Sequence, residues 1–119
     1  MKIITKVSRS HLTKRQRSKW SETELAREHG GRRQPASGAL PVAGLKGDVI
    51  TNQFLFDDKT TGAKSFSVTD ATMQKLARDA FQARRLPVMR VRFEATNHSV
   101  YVVDEQVFKR LTHAYLESL

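Results

Sequence analysis

Apolar residues along this chain change their spacing repeatedly between helix-like and strand-like periods, and that alternation restricts it to an α/β fold. The run "SETELAREHGG" predicts a first helix from Ser21, or one turn earlier from Ser18. Ser21 and Glu24 fit an S-x-x-E capping box, and Gly30 and Gly31 supply the stop. "GRRQPASGALPVAGLK", with Pro35 and Pro41, then reads as a loop, long enough in so small a chain to suggest a functional role. Strands follow at about 48–51, 54–59 and 64–68, joined by Asn52-Gln53 and by a turn around Gly62, which predicts an antiparallel meander.

From Thr69 or Asp70, the residues Met73, Leu76, Ala77, Ala80 and Phe81 recur at i, i+3, i+4, i+7 and i+8, marking an amphipathic helix whose Met73, Leu76 and Phe81 should be core. "PVMRVRF" and "SVYVV" predict two further strands around a turn near Asn97. Asp104 should cap a last helix carrying Val107, Phe108, Leu111, Tyr115 and Leu116 on its apolar side. The expected architecture is a mixed β-sheet of about five strands, three-strand antiparallel meander first, flanked by α-helices.

With 119 residues and 39% hydrophobic residues, the chain suits a single core. No apolar run approaches a membrane span, and no charged start leads into an apolar signal region, so a soluble, cytoplasmic protein is expected. Having no cysteine, it must bind any metal through oxygen or histidine. The net charge of +9 is uneven: residues 1–20 carry seven lysines and arginines and no acid, while residues 21–119 carry 14 basic and 12 acidic residues. Residues 1–19 therefore read as a basic arm suited to a polyanion, or as a solvated tail, ahead of one domain at 20–119. Lys14, Arg15 and Arg17 are candidate phosphate contacts in it.

The stretch "GDVITNQFLFDDK", residues 47–59, puts charge into strand-like sequence. Strand alternation sets Leu55, Asp57 and Lys59 on one face and Phe54, Phe56 and Asp58 on the other. A tight turn at Asn52-Gln53 would bring Asp48 beside the end of the second strand, so that two carboxylates and an ammonium converge. A hard divalent cation such as Mg2+ takes oxygen ligands of this kind, and phosphodiester hydrolysis uses the combination. The same spacing also suits a plain Asp–Lys ion pair at a strand end.

This motif, an aspartate, a spacer, then Asp57, any residue and Lys59, resembles that of the PD-(D/E)xK nuclease superfamily. "SETELA", "GGRRQPASGA" and "LPVMRVRF" are similar to the first helix, the arginine and Ser-Gly loop and the later strand of archaeal-type Holliday-junction resolvases and related phage endonucleases, in order over about residues 20–94. The resemblance implies a restriction-endonuclease-like fold. It implies that Asp48 is a bridging metal ligand, Asp57 the second carboxylate, Lys59 the catalytic lysine and Glu22 the first-helix glutamate, with Glu24 reserved for capping. Asp58, at the variable position, would offer its carbonyl to the metal. Mg2+, or Mn2+, branched DNA and a homodimer come with it. The chain departs from the pattern in having Asp57 where glutamate is usual and Gly47 where proline is usual.

Arg32, Arg33 and Ser37 in the long loop, with Lys46 and Lys64 beside the cluster, are further phosphate candidates. Trp20 is read as core or interface, and the four histidines as structural or surface residues. Two other functions compete with a resolvase: a nuclease for single-stranded or nicked DNA, and a non-catalytic basic nucleic-acid-binding module.

Overall fold

The computed structural model describes residues 13–33 and 49–119. Helix α1 (Lys14–His29) leads into β1 (Arg32–Arg33), β2 (Val49–Ile50) and β3 (Phe54–Thr61); then come α2 (Asp70–Gln82), β4 (Leu86–Phe93), β5 (His98–Val102) and α3 (Glu105–Glu117). The strands lie in the order β1-β2-β3-β4-β5. The pairs β1–β2, β2–β3 and β4–β5 are antiparallel, and β3–β4 is parallel, with Asp57 opposite Met89 and Asp58 opposite Arg90. The architecture is α/β, a mixed sheet with flanking helices. The parallel pair needs a crossover, which α2 supplies.

The expected strand at 64–68 does not form. On one side β4 pairs along all of Phe54–Thr61, which closes that edge of β3 to a returning hairpin strand; on the other side β2 pairs at Leu55 and Phe56. Phe66 instead packs onto the core from the connection to α2. Arg32 and Arg33, expected in a loop, pair with Ile50 and Val49. The close approach of these strands requires Gly31, since a Cβ there would run into the carbonyl of Ile50.

Helix α1 begins seven residues before Ser21. Thr13 is its N-cap, and a reciprocal capping box joins Thr13 to Gln16, at 3.1 Å from the Gln16 amide and 2.9 Å back from the Gln16 side chain. Residues 14–19 are thus helix rather than arm. Ser21 and Glu24 do not cap anything; they face the sheet. The C-terminal stop is as expected, with Gly30 at φ 68. Thr69 and Asp104 cap α2 and α3, each accepting from a backbone amide three residues on.

Strand alternation divides the core into two layers. On one face Leu55, Met89 and Val91 pack against Leu76 and Ala80 of α2. On the other, Phe56, Val88 and Val49 pack against Leu25 and Ala26 of α1. Each large apolar side chain so buried stabilises the fold by about 2 kcal/mol. Phe81, expected in the core, is 82% exposed, and Phe108, Leu111, Tyr115 and Leu116 of α3 also face outward, leaving Val107 as that helix's one buried residue.

Candidate active site

Two opposite faces of β3 carry two different charge systems. On the α2 face, Lys59 Nζ lies 3.5 Å from Asp57 Oδ1, with the lysine side chain 40% exposed and the aspartate 19%. A pair this accessible is screened, contributes little to stability, and leaves the amine able to meet a ligand. The two side chains point the same way because their positions are one full strand repeat apart.

On the α1 face, Asp58 Oδ1 accepts from Arg90 Nε at 2.9 Å, with both side chains almost wholly buried. The second guanidinium edge donates to the carbonyl and the hydroxyl of Ser21, each at 2.9 Å, and Glu28 stands 3.6 Å away. Burial works to lower the pKa of Arg90, but the hydrogen bond and charge of Asp58, joined by Tyr101 and Glu28, carry it above its ordinary value. Burial raises the Tyr101 phenol, against an opposing pull from Arg90. The remaining oxygen of Asp58, Oδ2, is buried without a partner. Two residues further along β4, Arg92 pairs with Glu24 at 2.6 Å and lies 4.9 Å from the centre of the Trp20 ring. Arg17 is held by Glu94 at 3.0 Å.

This arrangement sorts the expected site residues. Asp57 and Lys59 are together. The Asp58 carboxylate is committed to Arg90 on the far side of the strand, which leaves only its main-chain carbonyl for the Asp57 face. Glu22 is on α1, the helix covering the Asp58 face, one turn on from Ser18, which lines a cavity of about 270 Å³ with Lys14, Thr60 and Thr61. Among the described residues no three acidic or histidine side chains gather as an ion-holding group. Asp48, Ser37 and Lys46 lie outside the described residues, as does the side chain of Arg33. Arg32 lines a different cavity, of about 210 Å³, with Thr51, Asn52 and Arg85 at the β2–β3 turn. That turn is about 15 Å along the strand from Asp57. Lys64 is exposed just past β3.

Glu24 is engaged by Arg92 and not by a helix cap, which corrects the role its spacing from Ser21 suggests. The buried Asp58–Arg90 pair is absent from the sequence-based expectations. A signal for it exists in "PVMRVRF", where two arginines alternate with core residues on a central strand and so require anions on the covering helix or the neighbouring strand. His29, read as a structural or surface residue, is 2.9 Å from the Tyr101 hydroxyl and packs on the Phe56 ring. No helix among the described residues is long and apolar enough to cross a membrane. Compared with known proteins, the chain matches no family model, no curated protein and no solved structure.

Proposed function

We propose that this protein is a metal-dependent DNA endonuclease of the Holliday-junction-resolvase type, with a restriction-endonuclease-like fold, working on branched DNA in the cytoplasm. The observation that carries the reading is the accessible Asp57–Lys59 pair, 3.5 Å apart on one face of β3, in the D-x-K order that the resemblance requires. Val49 is the register partner of Phe56, and the chain positions adjoining that pair are Asp48 and Asp57.

The donor set suits a hard cation: carboxylate and carbonyl oxygens, no thiol, no histidine. Asp57 and Asp48 would hold Mg2+ or Mn2+, with the Asp58 carbonyl as a further oxygen ligand; Glu22, on the helix that covers the opposite face of β3, is left out of this set. The ion would polarise the phosphoryl group and lower the pKa of a bound water. Lys59 serves as a compact positive charge beside the reacting phosphate, stabilising the charge that develops there and orienting the attacking water through its N–H donors. Asp57 keeps that ammonium in place. Thr60 and Thr61 offer hydroxyls directly beyond it. Phosphate contacts are drawn from Lys14, Arg15 and Lys64, with Arg33 at the end of β1 and Ser37 and Lys46 in the sequence between β1 and β2. The exposed apolar residues of α3, Phe108, Leu111, Tyr115 and Leu116, are the surface we assign to a homodimer, which suits paired cuts across a symmetric junction.

The test is incubation with Mg2+ of a synthetic four-way junction, a linear duplex and a single strand. Preferential junction cutting supports the resolvase reading, and cutting of the single strand or a nicked duplex alone moves the substrate. Binding of all three with cleavage of none leaves a non-catalytic nucleic-acid-binding module.

A further inference from the structure

A second site lies at the other end of β3, where the turn Asn52-Gln53, the C-terminus of α2 and the side of α3 meet around an open cavity of about 730 Å³. Arg84, Arg85 and Arg110 line it with Phe81, Gln53 and Gln82. Arg85 ties the corner together, donating to the carbonyls of Thr51 at 2.7 Å and Ala83 at 2.9 Å, both neutral acceptors. No acidic side chain among the described residues pairs with Arg84, Arg85 or Arg110. The smaller cavity containing Arg32 shares Arg85 with it, which extends the positive surface toward β1.

Two features resist a purely structural account. Phe81 stands 82% exposed at a position whose helical spacing would favour the core, so its ring is offered to solvent at the cavity wall. Arg84 sits at φ 58, the left-handed residue ending α2, where glycine is the least strained choice. The fold thus keeps a strained guanidinium-bearing residue beside a bare aromatic ring.

We infer that this cavity binds an unpaired nucleotide of a nucleic-acid strand, its base stacked on Phe81 and its phosphates met by Arg84 and Arg110. Gln53 and Gln82 supply hydrogen-bonding edges without a charge preference. An aromatic face serves any base, and the flanking cations track the backbone. A second copy of the chain is a poorer occupant: a two-fold interface places the same patch on both sides, so the arginines of one protomer would meet those of its partner. The inference rests on the reading of this protein as one that handles nucleic acid, and it adds strand-end or unpaired-base recognition to it.

The experiment is fluorescence anisotropy of a short labelled oligothymidylate, and of a duplex of equal length, titrated with full-length protein in EDTA. Phe81→Ala should weaken oligothymidylate binding about tenfold or more and leave duplex binding nearly unchanged. Arg84→Gly should melt no lower than the parent, yet bind the oligomer less tightly and reduce the slope of log K against log salt by about 0.7. Unchanged oligothymidylate affinity in both variants overturns the inference. So does a Phe81→Ala protein whose only change is a smaller assembly in light scattering, which would give the face to a second copy. A protein that binds the oligomer through Phe81 but never cuts DNA loses the nuclease reading alone. One that cuts junctions while binding the oligomer equally well without Phe81 loses this inference alone.

Discussion

Asp58 and Arg90, opposite each other on the parallel strands β3 and β4, form an ion pair of 2.9 Å sealed beneath α1, and this pair fixes which way their neighbours face. With Asp58 locked toward α1, strand geometry turns Asp57 and Lys59 to the other side. A slip of β3 by one residue would exchange the two sets and bury the candidate site.

Breaking this pair should therefore cost more than any surface charge change. Asp58→Ala leaves a buried guanidinium with Ser21 as its main remaining partner, and should destabilise the fold by about 3–5 kcal/mol in urea unfolding. The double variant Asp58→Leu with Arg90→Met removes both charges and should recover much of that loss. Equal stability of Asp58→Ala and the parent would show that the pair does not hold the layers.

The pair on the other face should behave in the opposite way. Asp57→Asn changes a pair whose lysine end is open to solvent, and its unfolding free energy should stay within about 1 kcal/mol of the parent's. Under the proposed function it should nevertheless lose cutting. Asp57→Glu should be tolerated or faster, since glutamate is usual at that position of the resembled motif. A folded but dead Asp57→Glu would mean the shorter side chain is built into this site.

Much of the architecture can be read from the chain, and the failures have physical causes. The caps at Thr69 and Asp104, the stop at Gly30 and the turn at Asn52-Gln53 are legible because each is set by a few adjacent residues. The start of α1 is not, because Ser21 and Glu24 mimic a capping box while their side chains are claimed by Arg90 and Arg92, partners about 70 positions away in sequence. Residues 64–68 fail as a strand for a related reason: "SFSV" has a suitable pattern, but β4, formed further along the chain, takes one whole edge of β3. In the site, alternation correctly groups Asp57 with Lys59 and sets Asp58 apart. It does not reveal Arg90. Periodicity likewise assigns Phe81 to the core, because it reports a helix face and not where the covering layer ends.

The revised helix boundary alters the expectation for the basic N-terminus. Removing residues 1–12 takes away Lys2, Lys6 and Arg9 while sparing the Thr13 cap. The salt slope of duplex binding should flatten by up to about 2.7, three phosphate contacts at roughly 0.9 each. An unchanged slope would make that segment a passive tail. Thr13→Ala, by contrast, should lower stability by about 1 kcal/mol with the salt slope intact.

Alkaline pH provides a separate check on the α1 layer. The Tyr101 pKa is raised by burial, so the folded state favours the neutral phenol. The stability this provides is present below the ordinary tyrosine pKa and is lost as pH rises through the folded value. Unfolding midpoints measured across that range should fall more for the parent than for Tyr101→Phe. Parallel curves for the two proteins would show that the phenol titrates as it does in the unfolded chain.

Whether Asp57 and Lys59 belong to a hydrolytic centre is decided by junction cleavage with Mg2+ by the parent and by Lys59→Ala, alongside junction affinity measured without metal. The parent should cut. The variant should bind the junction within about twofold of the parent but lose at least about a hundredfold in rate, because the ammonium acts on the transition state. Cutting by Lys59→Ala at the parental rate would contradict a catalytic role for this pair.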